Sequence, residues 1–212
     1  MKDYSNYHNT DTNSKMQYDG SLIFNMALNG FEGYEVIIDG IFTKVLMTNK
    51  FSSDKGNIKY LIGNTENMKC GKIVQVDNEK WLITSIPKDF KIYKKALIQL
   101  SNLTLNLTGT ITKVKIGTDS YGRPVFKEIQ GDPIPIPCIV ETMVQISMID
   151  QHPINLPEGR LKVTLPYLTH NDIQVGKILN IYNEQYRIRV IDRTQVIDNE
   201  GVLTLFTDRV VT

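Results

Sequence analysis

Gly71 to Ile86 reads GKIVQVDNEKWLITSI, and Gly176 to Ile191 reads GKILNIYNEQYRIRVI. Aligned without gaps, the two share Gly71/Gly176, Lys72/Lys177, Ile73/Ile178, Asn78/Asn183, Glu79/Glu184, Ile83/Ile188 and Ile86/Ile191. Val74 matches Leu179, Val76 matches Ile181, and Trp81 matches Tyr186 in character. Every second position stays apolar in both copies, while interleaved positions drift from Leu82 to Arg187 and from Thr84 to Arg189. Successive strand side chains point to opposite faces, so this pattern predicts one conserved inner face and one altered outer face. Asp77-Asn78-Glu79-Lys80 and Tyr182-Asn183-Glu184-Gln185 place Asn where a hairpin turn can use it. Two copies of one β-hairpin imply a duplicated small β-domain.

Outward from the repeat, composition sets bounds. The chain has 212 residues, which at roughly 100–200 residues per domain allows one domain or two; the repeat selects two. Apolar residues make up 41% and charged residues 22%, values of a globular chain. With 24 Lys and Arg against 23 Asp and Glu the net charge is +1, which argues against a protein living on phosphate contacts. No run approaches the roughly 18–20 apolar residues of a membrane helix, so no membrane partner is expected. The first twenty residues lack an apolar h-region, so no secretory signal is expected. Cys70 and Cys138 lie far apart and read as buried free thiols. Without an export signal, Asn102-Leu-Thr104 and Asn106-Leu-Thr108 read as strand sequence and not as glycosylation sites.

Residues 1–30 form an N-terminal arm and a short apolar segment. The polar stretch 1–20 cannot bury enough surface to fold alone and is either a tail or an arm that orders against a neighbour, with Tyr4, Tyr7, Met16 and Tyr18 as anchors. Ser21 to Leu28 is either a brief helix stopped at Asn29-Gly30 or a first strand. A first β-domain is expected over 31–108. It holds a hairpin turning at Asp39-Gly40, a strand over Ile58–Ile62, the central hairpin, and a strand running from Lys95 to Leu107.

Residues 109–137 belong to neither copy. Two strands flank the turn Thr118-Asp119-Ser120-Tyr121-Gly122, with Arg123 just beyond it. Gly131-Asp-Pro-Ile-Pro-Ile-Pro137 then reads as a stiff, polyproline-like connector barred from a central strand. A second β-domain is expected over 138–212, in which Glu158-Gly-Arg-Leu-Lys162 echoes Lys55-Gly-Asn-Ile-Lys59 and Val202 to Phe206 is the last strand. No sustained helical pattern of ten or more residues is evident. The fold class is therefore all-β, with two tandem small barrels or sandwiches.

Catalytic signatures are missing. The histidines His8, His152 and His170 make no HxxxH or HExxH, there is no CxxC, and the glycines form no phosphate cradle. Asp150-Gln-His152 is a carboxylate near an imidazole without an evident nucleophile, and Glu32/Glu35 and Asp198/Glu200 read as solvated loop acids. Arg187, Arg189 and Arg193 with Lys177 form a modest basic strip on the outer face of the second copy, open to solvent, nucleic acid or an acidic protein surface. No enzyme, metal site or cofactor is expected.

The Gly-led strand, polar turn and aromatic-started strand resemble the head–tail joining (head-closure, or stopper) proteins of tailed bacteriophages. The resemblance lies in Gly71-Lys-Ile-Val, Trp81-Leu-Ile-Thr-Ser-Ile, Lys95-Ala-Leu-Ile-Gln-Leu and Ile136-Pro-Cys-Ile-Val140, and more loosely in Gly176 to Arg193 with Val202 to Phe206. It covers roughly residues 30–212. It implies a β-barrel ring in the virion neck, assembled in the host cytoplasm, below the portal and adaptor and above the tail proteins. Such a ring closes the DNA channel after packaging and presents a tail-docking platform. Family members typically hold one barrel in rings of twelve; a duplicated chain reaches twelve units with 12 or 6 copies, depending on which unit is counted. Such a ring allows passing contact with packaged DNA. Interface candidates on this reading are Tyr4, Tyr7, Tyr18, Asp119, Tyr121, Arg123, Arg187 and Arg189, and the hairpin over 109–131 is expected to project toward the channel or an adjoining ring. The alternatives are a nucleic-acid-binding small barrel of OB or SH3 type, or a tail-terminator or baseplate component.

Overall fold

The computed structural model describes residues 11–50, 56–143 and 159–210. Tyr4, Tyr7, His8 and the Asp150–His152 pair lie outside them. The chain divides into two compact units, one formed by residues 1–101 with 195–202, the other by 102–194 with 203–212.

In the first unit, α1 (Thr12–Asn29) precedes β1 (Gly33–Ile38), β2 (Ile41–Asn49), β3 (Ile58–Gly63), β4 (Ile73–Val76), β5 (Glu79–Ile83), β6 (Lys88–Asp89) and β7 (Lys94–Leu100). The strands run in the order β3-β2-β1-β4-β5-β7, and β3 also pairs with β7, so the sheet closes on itself. Alternation supplies the interior: Val36, Ile38, Val45, Leu61, Val74, Trp81, Ile83, Ala96 and Ile98 form one buried cluster with Met68. Asp39 and Gly40 both adopt positive φ in the two-residue turn between β1 and β2, as the Asp-Gly pair predicts.

The second unit repeats this plan. Its strands are β8 (Leu103–Leu107), β9 (Ile111–Thr118), β10 (Pro124–Gln130), β11 (Ile134–Thr142), β12 (Arg160–Pro166), β13 (Ile178–Ile181) and β14 (Glu184–Asp192). The chain ends with β15 (Val196–Ile197) and β16 (Glu200–Arg209). The order β13-β14-β16-β12-β11-β8 corresponds strand for strand to β4-β5-β7-β3-β2-β1, while β15 pairs with Glu200 and Gly201 of β16, residues that count with the first unit. The duplication therefore extends over the whole domain. Gly71 N–H donates to the Ile83 carbonyl and Gly176 N–H to that of Ile188, both at 2.8 Å. Ser101 N–H and Val210 N–H likewise donate to the Lys80 and Gln185 carbonyls, again both at 2.8 Å.

Four expectations are corrected. First, the continuous strand over 95–107 is two strands: β7 closes the first sheet, while β8 is the first strand of the second unit. The chain thus passes between units at 101/102, not near 108, and the extra hairpin sits inside the second unit where the first has only Asp39-Gly40. Second, the proline run is part of β11, paired with β8 through residues 134–138, whereas β12 pairs only with 139–142. At Pro135 and Pro137 the strand therefore carries one ladder and leaves its other side free, where a missing N–H costs nothing. Third, residues 12–29 form an eighteen-residue helix. Its apolar residues fall on two faces, which hides the helical period; packing holds it, with Phe24 and Tyr93 rings 5.5 Å apart and Gly20 set against Ile92. Fourth, Leu82, expected outward, is fully buried, whereas its counterpart Arg187 is exposed.

Neither cysteine is in a disulfide, and burial pushes the Cys138 thiol up to about 12. Among the described residues no helix is long and apolar enough to cross a membrane.

Candidate interaction surface

The hairpin β9–β10 is where folding rules and observation part company. Every residue of both strands is exposed, including Ile111, Val114, Ile116, Val125, Phe126 and Ile129. A two-stranded hairpin is at best marginal alone, and burial of one face is what normally stabilises it. This one is secured at its two ends. At the tip, Asp119 Oδ1 accepts from the N–H groups of Tyr121 (2.9 Å) and Arg123 (2.7 Å), closing an Asx turn that displays Tyr121 at 86% exposure. Asp119, Tyr121 and Arg123 are thus brought together, with the Asp119 carboxylate bonded to the turn backbone.

At the base, Gly109 lies so close to Gly131 that a Cβ there would stand 2.3 Å from the Gly131 carbonyl oxygen. Next to it, Asp172 Oδ2 accepts from both the N–H and the hydroxyl of Thr108, each at 2.7 Å. Asp172 N–H donates to His170 Nδ1 (3.1 Å), so the proton of a neutral imidazole sits on Nε2, which faces the Thr108 carbonyl at 3.0 Å. Burial pushes the Asp172 carboxyl up, but the Thr108 hydrogen bonds, joined by the pull of His170 when that ring is protonated and of Lys177, outweigh it and hold it below the usual range. The clamp was not legible in sequence, because sixty-four residues separate Thr108 from Asp172.

Pairing assigns the hairpin faces, since cross-strand partners share a side. Thr112 pairs with Ile129, Val114 with Lys127, and Gly117 with Val125, with a bulge between Val125 and Phe126. One face therefore carries Val114, Val125 and Ile129 around Lys127, with Ile116 at the bulge. The opposite face carries Ile111 and Phe126 beside the Lys113–Glu128 ion pair (3.2 Å).

The helix α1 offers a second open face. Phe24, Ala27 and Leu28 are half-buried on the packed side, while Met16, Tyr18, Leu22, Ile23 and Met26 are exposed on the other, followed by an almost fully exposed Phe31. Tyr18 thus belongs to a larger apolar surface that sequence reading reduced to isolated anchors. The basic strip looks different in structure: Arg189 Nε pairs with Asp208 (2.8 Å), Arg160 with the same carboxylate (3.2 Å), and Arg209 with Glu184. Arg187 is exposed and lies opposite Asp208 across the β14–β16 ladder. Acids thus stand among these bases. Glu200, expected as a solvated loop acid, is ion-paired to Lys69 at 2.9 Å. Among the described residues no group of three or more His, Cys, Asp or Glu side chains is placed to hold a metal ion.

Comparison with known proteins matches residues 6–100 to the YomX N-terminal domain and 101–207 to the YomX C-terminal domain. The SPbeta prophage-derived protein YomX of Bacillus subtilis (strain 168) is 37% identical over 213 residues, covering 100% of this chain and 98% of its own. The chain belongs to the YomX family. The family's two domain matches meet at 100/101, next to the point where the chain passes from one unit to the other. No solved structure matches.

Proposed function

We propose that this protein is a structural, non-catalytic component of a tailed-phage particle. It would form a ring in the neck that closes the DNA channel and offers a platform to the tail. The observation that carries the reading is the β9–β10 hairpin, held firmly at base and tip, yet with both faces open and six large apolar side chains in solvent. Such a surface in a folded chain points to an assembly that covers it. The exposed face of α1 makes the same demand. The prophage-derived relative supports a phage setting, and the paired small barrels suit the head-closure resemblance. On this reading the copies stand in a ring of 12 or 6, with portal or adaptor above and tail proteins below. The ring is assembled in the bacterial cytoplasm and packaged DNA passes through it.

The nucleic-acid-binding alternative has less support, since Arg189 and Arg209 already spend their charge on Asp208 and Glu184. Negative-stain images of concentrated purified protein test the proposal. Closed rings of fixed order are expected; particles of single-chain size that bind DNA at low salt would overturn it.

A further inference from the structure

The hairpin and the helix present faces that match each other. On α1, Asp19 is surrounded by Met16 three residues before it, Leu22 and Ile23 three and four after, and Met26 a turn beyond. Met16, Ile23 and Met26 are each 68% exposed. On the hairpin, Lys127 lies between Val125 and Ile129 along β10, opposite Val114 on β9, with Ile116 beside them. One patch is apolar around Asp19, with Lys15 a turn before it on the same side, and the other is apolar around a single base. Among the described residues neither Asp19 nor Lys127 has an ion-pair partner. The patches also agree in size. Ten helical steps from Met16 to Met26 rise about 15 Å, and four strand steps from Val125 to Ile129 span about 14 Å.

We propose that the Val114/Val125/Ile129 face of the hairpin docks on the Met16/Leu22/Ile23/Met26 face of α1 in a second copy of this chain, with Lys127 against Asp19. This rests on the ring reading and names the contact that joins neighbours within it. Charge selects the occupant. Residues 111–130 hold the cations Lys113, Lys115, Arg123 and Lys127 against Asp119 and Glu128. Residues 11–35 hold the acids Asp11, Asp19, Glu32 and Glu35 against Lys15. Hairpin on hairpin would bring Lys127 toward Lys127 and is repelled, whereas the crossed pairing sets Lys127 against Asp19 and is favoured. A contact in which each copy gives one patch and receives the other is heterologous, the type that generates rings when its rotation closes.

Two blocked variants of the full chain test this by sedimentation velocity. Ile23→Asp with Met26→Asp blocks the helix face; Val114→Asp with Ile129→Asp blocks the hairpin face. All four positions are exposed, so the folds should survive, which circular dichroism checks. Wild type is expected to assemble and each variant alone to remain a single chain. Their equimolar mixture should form a dimer and stop there, because one intact hairpin meets one intact helix and the remaining faces are both blocked. A mixture that stays monomeric, or either variant assembling like wild type, overturns the contact. In the second case wild-type rings persist and the ring reading stands without it. A monomeric wild type that is absent from particle necks removes both. Independently, Ile23→Cys with Ile116→Cys in one chain should give a ladder of oxidised multimers lacking in either single substitution; no ladder overturns the contact.

Discussion

Trp81 and Tyr186 occupy the same place in two copies of one domain. Trp81 pairs with Val74 across its hairpin and its indole N–H donates to Glu79 Oε2 at 3.1 Å; Tyr186 pairs with Leu179 and its hydroxyl donates to Glu184 Oε2 at 3.0 Å. Both rings are buried. An aromatic body in the core with its polar tip turned onto the carboxylate two residues earlier is one solution used twice. Trp81→Ala should cost about 3–5 kcal/mol, the usual loss for a buried large aromatic. Tyr186→Phe, which removes only the hydrogen bond, should cost about 1 kcal/mol. Urea unfolding of both variants measures this.

Gly71 and Gly176 begin the repeats with φ of +85° and +90°. Their surroundings differ. A Cβ on Gly71 would stand 1.9 Å from the Gly201 carbonyl oxygen, whereas one on Gly176 would meet open space. Gly176→Ala should therefore cost about 1–2 kcal/mol, from backbone strain alone. Gly71→Ala carries the same strain plus a backbone clash and should be clearly the worse, as thermal unfolding of the pair will show.

Asp172 should make the second unit sensitive to acid. Its carboxyl titrates below the usual range when folded, so its contribution is fully present above the unfolded value of about 4 and is lost as pH falls through the folded one. The stability difference between wild type and Asp172→Asn should be constant near neutrality and shrink below about pH 4. A difference that does not change with pH would show that the clamp does not depend on the charge.

Removing residues 112–128 takes away strands with no buried side chain. Folding stability should change by less than about 0.5 kcal/mol, the range of ordinary surface changes. Assembly should fail, and particles carrying the deletion should lose packaged DNA or tails. Normal DNA retention and tail attachment would refute a role for the hairpin in the neck.

The hairpins and their inner faces were readable in sequence, because period-two alternation and Asp-Gly or Asn-containing turns are local signals. What failed was non-local. Ser101-Asn102 looks like an interruption inside one strand; in three dimensions the Asn102 side chain bonds both the N–H and the carbonyl of Val140, each at 2.8 Å, in the second unit. Pro135 and Pro137 read as barring a sheet position, yet they lie where β11 carries a single ladder, a fact set by register. The helix was hidden by its own composition: Phe24 and Leu28 face the domain while Leu22, Ile23 and Met26 face away, so no single apolar stripe repeats every 3.6 residues. Those same outward residues make half of the interaction surface proposed above. The features that blurred the pattern are the ones assigned to assembly.

A map of an intact particle neck would show whether this chain forms the ring between portal and tail. The expected result is a ring built from twelve or six copies of this chain between portal and tail, with each β9–β10 hairpin covered by a neighbouring subunit. A neck in which no such double-barrel subunit is present, or in which the hairpins stand free in solvent, would contradict it.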